Sequence, residues 1–314
     1  MHLVGRLPAL RRGLRCLFRV ERKPVEVFGL TFPNPVGIAA GYDKDGQAFR
    51  GLSALGAGHV EIGTVTPEPQ AGNPRPRIFR LPEDEALINR MGFPGRGMDA
   101  VLQSVTGPRP QNLVVGINIG KNKDTPNSQA VKDYLALLRG FAPEADYIAI
   151  NVSSPNTVGL RELQGGEALR ALLSVCIEER DQLRARLDKP LPVLVKLAPD
   201  LNDQELDEAL DAVLHSGIDG VIATNTTVNR TGLKSPKQGE RGGLSGKPLS
   251  SASTDMIEKI SRRTDGSLPI IGVGGIMSAD DARVKLQAGA SLVQVYTGLV
   301  YHGPGLIRDI AVEC

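Results

Sequence analysis

A chain of 314 residues is long enough to bury a sizeable core, and barrels or doubly wound folds of this length often form one unit. Its 37 Lys and Arg against 35 Asp and Glu leave a net charge of +2, which gives no general field for nucleic acid, so any basic region is local. Cys16, Cys176 and Cys314 stand far apart without CxxC spacing, and His2, His59, His215 and His302 are isolated, so neither a disulfide framework nor a metal or iron–sulfur site is expected.

Residues 1–24 differ from the rest. Arg6, Arg11, Arg12, Arg15, Arg19, Arg22 and Lys23 face a single acid, Glu21, while Leu7, Leu10, Leu14, Leu17 and Phe18 share one helical face. Such a basic amphipathic helix suits an anionic membrane surface. An Arg-rich targeting segment and a helix packed on its own domain are the two rival readings. No run approaches the roughly 18 to 20 apolar residues that a spanning helix needs.

From residue 25 the chain repeats one phrase: a short apolar run, a polar or glycine-rich turn, then a segment with helical spacing. Eight runs read as strands: Val36–Ala40, Val60–Gly63, Leu113–Ile117, Tyr147–Ile150, Val193–Leu197, Gly220–Ala223, Ile270–Val273 and Leu292–Val295. Helices are predicted near 46–56, 95–105, 127–140, 166–187, 203–216, 251–264, 279–288 and 304–312. Strand then helix, eight times, predicts an α/β fold of the (β/α)8 TIM barrel type, preceded by the N-terminal helix and a hairpin over Val25–Phe32. The alternative, an open doubly wound sheet, is weakened because no GxGxxG follows the first strand. Residues 64–94 carry two short stretches, Arg77–Leu81 and Ala86–Ile88, that read as a hairpin over the barrel mouth. Residues 229–245, rich in Gly and charge, read as a mobile loop. The expected division is 1–24 as the basic module and 25–314 as the barrel.

Almost every predicted strand ends in a residue equipped for binding. Gly41, Asp43 and Lys44 follow strand 1; Thr64 follows strand 2; Asn118 and Lys121 follow strand 3. Asn151 and Ser154 follow strand 4, Lys196 lies in strand 5, and Thr224, Asn225 and Thr226 follow strand 6. Gly274 and Gly275, then Thr297 and Gly298, occupy the usual phosphate position of such barrels, although GVGG alone is a weak signal. In a barrel these ends converge on one face, which suits a planar, hydrogen-bonding, anionic ligand. The segment Asn151–Thr157 taken alone reads better as a polar capping turn than as a site. Lys196, inside an apolar strand, must find negative charge: an acid in an ion pair, a Schiff-base substrate, or the ring of a reduced flavin. Lys44 either pairs with Asp43 or receives a substrate carboxylate.

AAGYDKDG (39–46), EIGTVTPEPQ (61–70), INRMGF (88–93), GINIGKNK (116–123), NVSSPNT (151–157), VKLAPD (195–200), ATNTT (223–227), GGLSGKPL (242–249), IIGVGG (270–275) and QVYTG (294–298) stand in one order. Together they resemble the class 2, quinone-reducing dihydroorotate dehydrogenases, from about Phe28 to the C-terminus.

The resemblance implies oxidation of (S)-dihydroorotate to orotate in pyrimidine biosynthesis, with hydride passing to FMN and electrons then to ubiquinone or menaquinone. It makes Ser154 the catalytic base, which removes the C5 proton as the C6 hydride moves to the flavin, with Thr157 and Phe93 along the proton path. Asn89, Asn151, Asn156, Asn225 and Thr226 would hold the pyrimidine amides and Lys44 the carboxylate, with Arg90, Met91 and Gly92 beside them. Ala40, Gly41, Thr64, Asn118, Lys196, Thr224, Gly246, Gly275, Tyr296 and Thr297 would line FMN, together with Tyr42, Asp43, Lys44 and Asn151. Class 1 enzymes, which use soluble acceptors, carry cysteine where Ser154 stands; they are the alternative, with a Schiff-base lyase on Lys196 and a catalytically silent scaffold behind. The N-terminus departs from the pattern. Class 2 members place a pair of helices before the barrel to form the quinone tunnel, whereas one helix's length, residues 6–20, precedes Val25. A monomer, peripheral on the cytoplasmic face of a bacterial inner membrane, is expected, with the mitochondrial inner membrane as second choice.

Overall fold

Residues rich in Val, Ile and Leu, buried on both faces, form eight parallel strands that close on themselves in the computed structural model, which describes residues 1–314. Two strands precede them, β1 (Val25–Val27) and β2 (Leu30–Phe32). The barrel begins with β3 (Val36–Asp43) and β4 (His59–Val65). The mouth insertion then gives β5 (Ile78–Leu81) and β6 (Ala86–Asn89). The barrel continues through β7 (Val114–Ile119), β8 (Tyr147–Asn151), β9 (Val193–Leu197) and β10 (Gly220–Ala223); β11 (Gly243–Gly246) lies outside it, and β12 (Ile270–Val273) and β13 (Leu292–Val295) complete it. Four strands have the boundaries expected from sequence; β3, β4, β7 and β8 run one to three residues further.

The helices start and stop where local chemistry directs. Asp203–Ser216 opens on a capping box, Asn202 with Glu205, and ends on Gly217 in the left-handed region. Ala279–Gln287 opens on a second box, Ser278 with Asp281. The helix expected over 46–56 is shorter, Phe49–Leu52 followed by a 3-10 turn over Ser53–Leu55. The Asp43 carboxylate accepts from the N–H groups of Gln47, Ala48 and Phe49 at 3.0, 2.8 and 2.7 Å, which fixes the chain before the first helical turn.

The β1–β2 hairpin closes the N-terminal end of the barrel. Phe28 at its tip packs against Gly220, where a Cβ would lie 2.4 Å from the ring, and Phe32 meets the His59 ring edge-on at 5.3 Å. At the opposite end β5, β6 and β11 form an antiparallel sheet over the mouth. Residues 229–245 therefore differ from the mobile loop expected of their composition. Asp84 accepts from the N–H groups of Lys234 and Ser235 at 2.9 and 3.0 Å, Leu233 joins a small core with Phe79, Leu81, Ile88 and Leu244, and β11 pairs with β6. Tertiary bonding overrides composition here.

The N-terminal stretch also differs from the single helix expected over 6–20. It folds as two helices, His2–Arg6 and Pro8–Leu17, because Leu7 is extended and Pro8 has no N–H with which to continue the first. Phe18 and Val20 pack on the main core, while Leu3, Leu7, Leu10 and Leu17 stay exposed. No helix is long and apolar enough to cross a membrane.

His59 is fully buried among apolar groups, neither ring nitrogen has a partner, and desolvation pushes its pKa down to about 3. The unfolded chain binds this proton near pH 6.5 and the fold does not, so the native state loses stability as pH falls from about 6.5 towards 3, by up to roughly 1.4 kcal/mol per pH unit. Urea unfolding across pH 4–7 is expected to show a flatter dependence for His59→Leu than for the wild type. Parallel curves would contradict a neutral, unpartnered imidazole.

Candidate active site

The C-terminal ends of the strands surround one cavity of about 1010 Å³, open mouth included. Its floor is set by a carboxylate one layer behind the lining. Glu61, on β4 and fully buried, accepts from Asn118 Nδ2 at 2.8 Å, Gln294 Nε2 at 2.9 Å and the Tyr147 hydroxyl at 3.1 Å, and stands 3.7 Å from Lys196 Nζ. Five strands thus meet at one group. Above it, Asn151 Nδ2 donates to Thr64 Oγ1 at 2.9 Å and Asn118 Oδ1 at 3.1 Å, so the amide orientations on adjacent strands fix one another.

Ser154 sits on the turn after β8, only 6% exposed. Its hydroxyl oxygen accepts from the Asn156 N–H at 3.3 Å, and no carboxylate or imidazole contacts it. The surrounding amides are locked. Asn225 Nδ2 donates to Ser153 Oγ at 2.9 Å and Asn151 Oδ1 at 3.3 Å, and Asn156 Nδ2 donates to Asn89 Oδ1 at 3.2 Å. Lys44, across the cavity, donates to the Gly41 carbonyl at 2.7 Å. Burial lowers its pKa to about 8, so its charge lies close to loss in mildly alkaline solution.

The wall after β12 offers bare backbone. None of the N–H groups of Gly274, Gly275 and Ile276, all on the lining, donates within the chain. Gly275 has φ +70°, and a Cβ there would stand 2.4 Å from the Ser250 backbone; Gly246 opposite, with φ +102°, would put a Cβ 2.3 Å from the Glu85 carbonyl. Only glycine lets the wall close and leaves its amides facing the cavity. Gln294 adds an acceptor at the floor: its Oε1 is buried and unpartnered.

Most residues singled out from sequence line this one cavity. Lys44, Asn89, Met91, Gly92, Phe93, Asn151, Ser154, Asn156, Asn225 and Thr226 gather at the mouth side. Ala40, Gly41, Thr64, Lys196, Thr224, Gly246, Gly275, Tyr296 and Thr297 line the remainder. Six do not line it, each for a physical reason. Lys121 is buried and its Nζ donates to the Thr125 carbonyl at 2.8 Å in the following turn. Asp43 turns its carboxylate to the helix start described above. Tyr42 is 39% exposed and stacks edge-on against Tyr296 at 5.7 Å. Arg90 pairs with Glu240 at 2.7 Å and lies over the Phe79 ring. Asn118 stands behind Asn151 and Thr64, holding both rather than facing the space. Thr157 is buried, its carbonyl accepting from Leu160 in the turn that follows.

Three residues that sequence reasoning passed over complete the site. Glu61 and Gln294 lie inside apolar strands, where a lone polar residue within a buried run was the signal available. Arg161 holds the loops together: its Nε donates to the Ser153 carbonyl at 3.0 Å, Nη2 to the Thr226 carbonyl at 2.9 Å and Nη1 to Asp200 at 2.7 Å. Asp200 also accepts from the Thr227 hydroxyl and the Val228 N–H. One ion pair ties the turns after β8, β9 and β10.

A family model described as Dihydroorotate dehydrogenase matches residues 23–314. The chain belongs to the dihydroorotate dehydrogenase family. It is 53% identical over 292 residues to the "Dihydroorotate dehydrogenase (quinone)" of Stenotrophomonas maltophilia, covering 93% of this chain and 83% of that one. It is 52% identical over 309 residues to the protein of the same name from Thiobacillus denitrificans, covering 98% and 91%. The crystal structure of DHODH from Eimeria tenella in complex with ferulenol superposes with a TM-score of 0.90 at 39% identity, covering 99% of this chain and 87% of that one. The ligand-free Eimeria structure gives 0.87.

Within this dihydroorotate dehydrogenase fold, Arg161→Ala is expected to release the turn that carries Ser154 and lower kcat by about tenfold or more, with millimolar guanidinium restoring part of it. Loss of turnover that tracks only a fall in thermal stability, with no guanidinium rescue, would contradict the loop-holding role.

Proposed function

We infer that this chain oxidises (S)-dihydroorotate to orotate in de novo pyrimidine biosynthesis and passes the electrons to a quinone, the activity named for its relatives. The family is flavin-dependent. We propose FMN as the cofactor here. The observation that supports this most directly is the sharing of one cavity by unpartnered backbone amides at Gly274–Ile276, the unpartnered Gln294 Oε1 and the Lys196 ammonium. A phosphate suits the first and the polar edge of a flat ring system suits the other two.

The residues proposed to hold FMN are Gly246, Gly274 and Gly275 with Thr297 towards the phosphate, and Ala40, Gly41, Thr64, Thr224, Lys196 and Tyr296 towards the rings. FMN, when bound, supplies the hydride acceptor and the electron path to the quinone. Lys44 receives the substrate carboxylate as the cation at the mouth. Asn89, Asn156 and Asn225 present amide donors and acceptors to the pyrimidine, already oriented by their bonds to one another. Ser154 takes the C5 proton. A serine hydroxyl is a weak base, so this role needs the dry, fixed surroundings that 6% exposure and the Asn156 N–H contact supply. Phe93 and Thr157 are proposed to border the proton's exit. A Schiff-base reading of Lys196 finds less support, because its ammonium stands in an ion pair with Glu61.

We place the exposed leucines of the two N-terminal helices on a membrane surface, with Arg12, Arg15 and Arg19, also exposed, towards anionic headgroups. A bacterial cytoplasmic membrane is the setting named first, through the bacterial relatives.

Ser154→Ala is expected to retain bound flavin while losing turnover by about 10² or more. Unchanged flavin bleaching by dihydroorotate in that variant would exclude Ser154 as the base. Deleting residues 1–23 is expected to depress quinone reduction more than reduction of a soluble dye. Equal losses would contradict a quinone-docking segment.

A further inference from the structure

The cavity lining contains Lys44 and Lys196 but no Asp or Glu. The fixed anion nearest to Lys196 is Glu61, 3.7 Å from Nζ and behind the lining, on the strand beside β3 and β7. Its other contacts are the amide donors of Asn118 and Gln294 and the hydroxyl of Tyr147. Two amide N–H groups, a phenol hydroxyl and an ammonium all direct their protons at this pair of carboxyl oxygens, a donor set that suits a negative charge. The fold has thus built a full set of donors around one buried negative charge directly beneath a cation that faces the flavin cavity.

We propose that Glu61 is a positioning residue that sets the reduction potential of the bound flavin. It does so by fixing Lys196 in place and offsetting part of its charge. This rests on the flavin reading given above. Reduction adds negative charge to the ring system, and a bare ammonium beside it would favour the reduced form strongly. A flavin that must also release its electrons to a quinone works better with that pull moderated. Glu61 supplies the moderation without occupying the cavity. Asn118, on the adjacent strand β7, and Gln294, two strands away on β13, both donate to Glu61 and hold its carboxylate beside Lys196.

The test is a set of anaerobic, dye-equilibrated reductive titrations at saturating FMN on the wild type, Glu61→Gln, Lys196→Gln and the double variant. Glu61→Gln removes the charge, keeps the shape and is expected to shift the flavin equilibrium towards the reduced form by about tenfold or more, a rise of ~30 mV for a two-electron couple. Lys196→Gln is expected to shift it the other way. The double variant, which buries no net charge, is expected to return close to the wild type, so the two effects couple. A Glu61→Gln potential equal to or below that of the wild type would overturn the proposal. If Glu61→Gln alone does not fold, the double variant decides: agreement with Lys196→Gln alone overturns the role, and return towards the wild type supports it. A wild-type protein that takes up no flavin would overturn the flavin reading itself, whereas a flavin-loaded wild type whose potential ignores Glu61 would overturn only this inference.

Discussion

A single buried carboxylate decides how the barrel interior is arranged. Glu61 draws Asn118, Tyr147, Lys196 and Gln294 from four other strands to one point. A charge in a closed barrel is costly unless each of its lone pairs is met, and here the partners come from across the sheet rather than from neighbours in sequence. Removing any one of them would leave a buried polar group unmatched. The strand register is therefore tied to a polar network as well as to the alternation of apolar side chains. That network ends at the floor of the cavity, so the feature that fixes the fold also aims the groups that face a ligand.

Around this floor the eight strand ends work as a set. The turn after β8 carries Ser154, the turns after β9 and β10 are joined to it through Arg161 and Asp200, and the mouth sheet supplies Asn89 from β6. Little of this depends on loops free to move. Residues 229–245 are held by Asp84 and by pairing with β6, so the lid over the site is a sheet with its own small core. Preorganisation of this kind is what the role of base proposed for Ser154 requires, because water and reorientation would otherwise consume the advantage of proximity.

The barrel was legible in the sequence because its signals are local. Apolar runs of fixed length, Gly217 after a helix and the capping pairs Asn202/Glu205 and Ser278/Asp281 each act within a few residues, and four strands and two helices fall at the boundaries those signals set. The residues at the strand ends were legible for the same reason, as polar groups placed immediately after apolar runs. What the sequence concealed depends on partners far along the chain. Glu61 meets Gln294 across 233 positions, and Asp84 pins Ser235 across 151. Asp43, adjacent to Lys44, looked like a ligand residue, yet its carboxylate serves the next helix. At the N-terminus the amphipathic pattern predicts one helix, and Pro8 divides it into two.

One cavity is proposed to hold a flavin where dihydroorotate can reduce it and a quinone can recover it. The most direct measurement is an anaerobic absorbance titration of the purified, flavin-loaded protein near 450 nm. Stoichiometric bleaching on adding dihydroorotate, followed by recovery of the yellow colour on adding a quinone, is the predicted result. A protein that binds no flavin, or whose flavin stays oxidised in excess dihydroorotate, would contradict it.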